Sequence, residues 1–456
     1  MRSSLPRILL VNPPINDFSA YDFWMKPFGL LRVAGQIRNQ ADFLLFDFMD
    51  RHSSYFDPET LPLSDPWGRG HFFHQEISKP PELKSIRRKY KRMGVPRKIF
   101  QEFLQKSETF DFVMIQTVMT YWYLGVKEVI EDIRHFQPQA RIILGGVYAT
   151  LCFPHASSLD SDLVIQGLDL TSLWKFLNFQ PEVPAMPLWD LYPRVNVGVL
   201  KLAEGCPFRC TYCSVPQVFP PFYSRTTEES LNELEFLLKL GAKNVVFYDD
   251  ALLYQPRKIL IPFLQAVLSR EMIVNFHTPN ALNARFITMD IAQLMIRAGF
   301  KTFYLGFESS AYEWQKKTGG KVYSNEFERA IQCLHQAGAD LNDVTAYLIM
   351  GHPHMDQQNL EASMEFAHQL GIRIMLSEFS PIPGTPDGEE CRKWVNLDEP
   401  LYQNKTVFPI IYLGESEVNR LKRRCQELNH KLNQRNLVPD DLPQDFFYEE
   451  KKASEI

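Results

Sequence analysis

The sequence predicts an α/β protein with a doubly wound, Rossmann-like amino-terminal domain, a partial (βα)6 TIM-type barrel and a helical carboxyl-terminal extension. Three observations carry this. Short apolar runs alternate with amphipathic segments over residues 1–175. Four prolines within 181–193 then break the pattern. Six further strand–helix units follow that break. Buried apolar strands alternating with amphipathic helices build parallel sheets covered on both faces.

In the first domain, strands are expected at 8–11, 43–48, 112–116, 141–144 and 163–165, with helices over 29–39 and 124–136. Residues 50–108 interrupt this order as a long insertion with a basic run over 84–92. Loops of that length are uncommon and are often lids. The basic run reads either as a solvated surface helix or as part of a lid over substrate. Residues 176–194 are the linker. The barrel, 195–390, is expected to use strands at 197–202, 244–248, 273–277, 302–307, 344–350 and 374–379. Its helices are expected over 228–240, 256–270, 289–297, 325–337 and 357–370. Such barrels carry their sites at the carboxyl ends of the strands. In the extension, 391–456, Val418, Leu421, Cys425, Leu428 and Leu432 recur at three- and four-residue steps, the stripe of a helix packed on the barrel.

The chain has 456 residues, 45% hydrophobic and 23% charged, which fits two or three soluble domains. A net charge of -5 gives no global attraction to nucleic acid or membrane, and no specific nucleic-acid signal is present. No apolar run reaches the length of a membrane span, and residues 1–10 do not read as a signal peptide. A cytoplasmic location is the expectation. Seven cysteines, an odd and sparse count, do not describe a disulfide framework.

Three of the seven form Cys206-Pro-Phe-Arg-Cys210-Thr-Tyr-Cys213 directly after the first barrel strand. Three thiolates in one loop can each take one iron of a cubane cluster and leave the fourth iron open. A structural zinc would want a fourth ligand, and none lies nearby in the sequence.

This motif, with the aromatic Tyr212 before its last cysteine, resembles that of the radical S-adenosylmethionine (SAM) superfamily. The resemblance implies a 4Fe-4S cluster on Cys206, Cys210 and Cys213, with SAM chelating the open iron through its amino and carboxylate groups. Reductive cleavage of SAM would yield a 5'-deoxyadenosyl radical, the electron coming from a low-potential donor such as flavodoxin or ferredoxin. Further segments are similar to the family's SAM pocket. Asp249 and Asp250, after the second strand, meet the SAM ammonium or else cap the next helix. Glu308, at the fourth strand end, faces the ribose or methionyl group. Gly351, in Met350-Gly351-His352-Pro353, approaches the adenine, and His352 and His354 belong to that turn rather than to a metal site. Ser380 begins the sixth-strand segment of the same pocket. Thr278-Pro279-Asn280 either faces substrate or SAM or forms a plain turn.

Residues 1–175 resemble the cobalamin-binding domain fused ahead of many radical SAM barrels. Asn12-Pro13-Pro14, Pro27-Phe28-Gly29-Leu30, Gly145-Gly146-Val147-Tyr148-Ala149-Thr150 and Gln166-Gly167 carry this likeness. Asn12, Gly145, Gly146 and Tyr148 are the cofactor contacts it implies, with Tyr121 and Trp122 packing either on cobalamin or in a domain interface. The Asp-x-His-x-x-Gly motif is absent; Asp50-Arg51-His52 lacks its glycine. The nucleotide tail is therefore expected to be displaced, with no histidine on cobalt. The implied activity is methyl transfer to an unactivated carbon, using two SAM molecules per turnover. A non-methylating rearrangement or cyclisation, a cluster-bearing sensor without turnover, and an acid–base hydrolase built on Asp249, Asp250 and Glu308 are the alternatives. Neither the substrate nor a catalytic side chain is named by the sequence.

Overall fold

Alternate residues of the first strand face two different cores. In the computed structural model, which describes residues 5–56 and 62–436, β1 (Arg7–Asn12) sends Ile8 and Leu10 to one side and Leu9 and Val11 to the other, all fully buried. β2 (Asp42–Asp47), β3 (Phe112–Thr117), β4 (Arg141–Gly146) and β5 (Leu163–Val164) complete a parallel sheet in the order β5-β4-β3-β1-β2. This is a doubly wound order with its switch point between β1 and β3, where ligands bind beyond the carboxyl ends. The face carrying Leu9 and Val11 is covered by Arg97–Lys106 and Tyr123–Phe136, through Phe100, Leu104, Val126 and Ile130. The face carrying Ile8 and Leu10 packs on Phe28–Gly35 through Leu30, Leu31 and Ala34, and that core runs on into the barrel.

The barrel strands lie in sequence order, all parallel: β6 (Val197–Leu200), β7 (Asn244–Phe247), β8 (Asn275–Leu282), β9 (Phe300–Glu308), β10 (Val344–Met350) and β11 (Arg373–Glu378). Register shifts fall between Thr278 and Leu282 on β8 and between Gly306 and Glu308 on β9. The expected third strand thus lies further along the chain. Ile273 is 94% exposed, and the strand starts at Asn275. Val418, Leu421, Cys425, Leu428 and Leu432 are all buried on the long helix Glu415–Asn436, which packs on β11 and on Gln357–Gln369.

The expectation of a lid-like insertion is corrected. Arg97–Lys106 is the ordinary crossover helix between β2 and β3. Before it, Tyr90–Met93 pairs antiparallel with Ile15–Asp17 and with His74–Ile77, and Gly70–His71 pairs with Tyr21–Asp22. The basic run is not a helix. Its last residue, Arg92, is buried and makes two-pronged bonds to Glu128 at 2.7 and 3.0 Å.

The insertion and the loop after β1 fill the barrel lumen instead. Trp24 is 1% exposed and stacks on His277 of β8 with ring centroids 4.6 Å apart. Its indole N–H donates to the Trp67 carbonyl at 2.7 Å. Arg69 lies over the Trp24 ring, pairs with Asp65 at 2.6 Å and donates to the Tyr304 hydroxyl. Arg51 holds this wedge by donating to Asp22, Ser64 and the Gly68 carbonyl.

Candidate functional site

The cysteine loop starts where β6 ends. Ala203–Glu204 pairs antiparallel with Tyr223–Ser224 and closes its base. At Gly205, with φ of 70°, any Cβ would collide with the Pro220 carbonyl, so the closure requires glycine. Both Asp249 oxygens accept from the backbone N–H of Leu202, and Oδ1 also accepts from Ala203 at 2.7 Å. Asp249 is therefore spent on the loop's origin, and burial pushes its carboxyl up to about 7 against the pull of Lys201. Its neighbour Asp250 shares Lys201 with it. Its Oδ2 faces Lys201 at 3.5 Å without a hydrogen bond, and its charge reaches Cys206. Of the two carboxylates, Asp249 is held by backbone N–H groups and Asp250 by the Lys201 ion pair.

Cys206, Cys210 and Cys213 are free and half-buried. Burial raises all three thiols, that of Cys213 to about 11, and each lies close enough to another for their charges to interact. Thiolates here call for a compensating cation, as a metal centre supplies. Among the described residues no three His, Cys, Asp or Glu side chains converge tightly enough for a single metal ion. A cubane fits this better than zinc, because it takes each thiolate on a different iron and spreads the sulfurs apart.

The far end of the motif is braced. Tyr212 stacks on Trp314 at 6.0 Å and 17°, and its ring edge meets His352. Thr211 donates to Asp387 at 2.5 Å, and Asp387 bonds His352 Nε2 at 2.8 Å. His352 Nδ1 receives the Trp314 indole N–H and the His354 backbone N–H, so the ring proton sits on Nε2 and is donated to Asp387. Burial would raise Asp387, but its bonds to His352 and Thr211 outweigh this and hold it low. His352 is thus a brace, and His354 pairs with Glu390 at 2.7 Å.

Glu308 lies where β9 breaks register and has φ of 64°, a conformation strained for a side chain of this size. Its carboxylate pairs with Lys321 at 3.1 Å, and Lys321 in turn faces Cys210 and Cys213. Lys321 was not singled out from the sequence. The signal was Gly319-Gly320 just before it, with φ of 120° and 59°; a Cβ on Gly319 would come within 3.2 Å of the Cys210 Cα. Lys201 and Glu204, ion-paired at 2.8 Å, were missed as well, and Glu204 also pairs with Arg32 of the first domain.

Other expected contacts are engaged within the protein. Gly351, with φ of 83°, lies against Pro409 of the extension. The Ser380 hydroxyl donates to the Gln403 carbonyl. Asn12 donates to Asp47 at 2.6 Å. Tyr148 bonds His155 and stacks on Tyr123, whose hydroxyl donates to Glu399. Tyr121 is buried, and Trp122 donates to Asp17. Trp122 packs on the first domain's own core, and Thr120–Trp122 lies against Pro400–Gln403 of the extension. In contrast, Gly29 and Gly167 have no atom within 4 Å of where a Cβ would stand, and Gly145 is met only at 3.9 Å. Gly146 is closed instead: at φ of 119° a Cβ there would collide with the Thr117 carbonyl, so the rim of the first sheet is open at Gly145 and Gly167 only. It also faces the barrel site: Val147–Leu151 packs against Val215–Val218, which begins two residues after Cys213.

A family model described as the Radical SAM superfamily matches residues 200–367. An uncharacterized methyltransferase of Pyrococcus horikoshii is 25% identical over 214 residues, 45% of this chain and 45% of that protein. The chain therefore spans about half the length of that curated relative. The radical SAM methyltransferase TsrM from Kitasatospora setae superposes with a TM-score of 0.62 at 14% identity, over 85% of this chain and 76% of that one. That protein has been solved with tryptophan substrate and a SAM analogue, and with cobalamin and a [4Fe-4S] cluster. The cobalamin-dependent SAM radical enzyme OxsB, solved with aqua-cobalamin and SAM, superposes with a TM-score of 0.56 at 14% identity, over 95% of this chain and 62% of that one. At such identities the structural likeness is one of fold, and it extends over both domains of the chain.

Proposed function

From the premise that this chain is a radical SAM enzyme, with its radical SAM domain at residues 200–367, we propose that it works with cobalamin and transfers a methyl group to an unactivated carbon. The observation that carries this reading is the facing of two rims. The helix Val147–Leu151, which follows Gly145-Gly146 at the rim of the first sheet, meets the segment that follows Cys213. A methyl carrier and a radical source must act on one carbon, so they must share one cavity. The proteins of like fold that were solved with cobalamin support the same reading.

When bound, the cluster and SAM supply a hydrogen-abstracting radical and cobalamin supplies a methyl carrier. The chain's part is to hold and orient them. Cys206, Cys210 and Cys213 hold the cluster. Asp250 offers a carboxylate for the SAM ammonium, and Lys321 a cation for its carboxylate. Glu308 is fixed beside Lys321. Trp24, Tyr304 and Tyr347 close the lumen below, so substrate is confined to the mouth between the domains. Electrons come from a low-potential donor.

The test is anaerobic reconstitution with iron, sulfide and hydroxocobalamin, followed by reaction with SAM labelled in its methyl group. The reading expects one cluster, one cobalamin and labelled carbon in the product. A loaded cluster that cleaves SAM while the protein binds no hydroxocobalamin would remove cobalamin from the function. Cobalamin binding without label in any product would favour rearrangement.

A further inference from the structure

The root of the cysteine loop holds more carboxylates than its one lysine can satisfy. Lys201 follows β6 and is buried. Its backbone carbonyl accepts from Arg225 at 2.9 Å, and its ammonium lies over the Phe219 ring at 4.5 Å. Glu204, Asp249 and Asp250 all draw on that one charge. The ammonium donates to Glu204 Oε2 at 2.8 Å and stands 3.5 Å from Asp250 Oδ2. Asp250 Oδ2 is buried and accepts no hydrogen bond from a described residue. A buried carboxylate oxygen in that state is costly until a donor reaches it.

What keeps Lys201 on Glu204 comes from the other domain. Arg32, on the helix Phe28–Gly35, pairs with Glu204 Oε1 while Lys201 holds Oε2. Glu204 is thus gripped at both oxygens. Its place demands this, because it is buried and its strand, Ala203–Glu204, is only two residues long. Without Arg32 one oxygen of a buried carboxylate loses its cation, and the simplest relief is for Glu204 to turn toward water. Lys201 would then close the short gap to Asp250 and occupy Oδ2 itself.

We propose that Arg32 is a positioning residue for SAM: by holding Glu204 it keeps Lys201 off Asp250, so that Asp250 Oδ2 stays open to the amino group of SAM. The inference rests on the reading of the three cysteines as a cluster site and of Asp250 as a SAM contact. Arg32 acts only through Glu204 and Lys201. The first domain thereby takes part in SAM binding in its own right, whatever cofactor it carries. A second tie between the first domain and the rest of the chain, Arg38 with Asp190 of the linker at 2.6 Å, does not involve the loop root and serves as a control.

The experiment is calorimetric titration of the reconstituted full chain with SAM, at cluster contents matched to wild type. Arg32→Gln should weaken SAM binding by about tenfold, the worth of one hydrogen bond to a charged group. Arg32→Lys should recover most of the loss, and Arg38→Gln should bind SAM as wild type does. Glu204→Gln should also weaken binding, and Arg32→Gln/Glu204→Gln should be no weaker than Glu204→Gln alone, because the two residues act in series. A merely structural role would instead give losses that add. The proposal is overturned by unchanged SAM affinity in Arg32→Gln, by additive losses in the double variant, or by an equal loss in Arg38→Gln. Failure of the underlying readings shows elsewhere: the wild-type protein would hold no cluster, or Asp250→Asn would bind SAM as tightly as wild type. Either result takes the proposal down with it, and neither depends on Arg32.

Discussion

Two buried groups give opposite signs of pH dependence, and each can be isolated by one substitution. His277 is fully buried, accepting or donating to Thr302 and Asn244, and burial, aided by Arg69, pushes it down to about 3. The unfolded chain takes up a proton on this ring below about pH 6.5 and the folded one does not. Stability from this site is present above that pH and is lost as pH falls toward 3. Asp249 works in the other direction. Its folded value of about 7 lies above the unfolded one, so its stabilisation is present at low pH and is lost as pH rises toward 7. Equilibrium urea unfolding between pH 4 and 8 should show His277→Gln flattening the acid loss and Asp249→Asn flattening the alkaline one, each by a few kcal/mol at about 1.4 kcal/mol per pKa unit. Parallel shifts in both variants would refute the assignment. At the cluster, replacing Cys206, Cys210 and Cys213 together by Ala should abolish the absorbance near roughly 400 nm. Replacing Cys152, Cys333, Cys391 or Cys425 should leave it. Glu308→Gln should keep the cluster and weaken SAM binding about tenfold, because Lys321 loses its counter-ion and the site a hydrogen-bonded charge; titration of the reconstituted protein with SAM reads this directly.

At the scale of elements, the loop that holds the cysteines depends on parts far away in sequence. Asp387 reaches Thr211 across 176 positions, and Gly319 approaches Cys210 from the segment after β9. Gly319→Ala places a Cβ in a left-handed backbone and against Cys210, so it should speed loss of iron to a chelator severalfold while the far-ultraviolet spectrum is unchanged. Asp387→Asn should do the same more mildly, since the His352 and Thr211 bonds lose their charge. These braces explain what could be read in advance. β10 was expected at its observed bounds, because seven consecutive apolar or β-branched residues end at Met350-Gly351. The C-x3-C-x2-C spacing is local and was legible too. The insertion was misread because its strands are two to four residues long and owe their existence to pairing with residues 15–22, not to any period of their own. Asp249 and Ser380 were expected at a ligand, but the side chains they name are already committed to backbone groups that no sequence window contains. Lys321 and Trp24 escaped notice for the same reason: each acquires its role from a partner on another strand.

At the scale of the whole molecule, the two domains share one continuous core and are locked by the wedge in the lumen. Trp24→Ala should cost about 3–5 kcal/mol, as removal of a buried tryptophan generally does, and it should separate a single unfolding transition into two as the domains uncouple. Calorimetry would check this; a single transition at an unchanged midpoint would argue that the wedge does not couple them. The wedge also has a consequence for how the protein is made. Arg69 and its lumen partner Tyr304 are 235 positions apart. At ribosomal speeds of about 5–20 residues per second, roughly ten to fifty seconds pass between their syntheses. Through that interval the nascent first domain carries two tryptophans and an arginine shaped for a hollow that does not yet exist. Its exposure to chaperones and to aggregation is thus timed by the translation of the barrel, and slow codons between β6 and β9 would lengthen it.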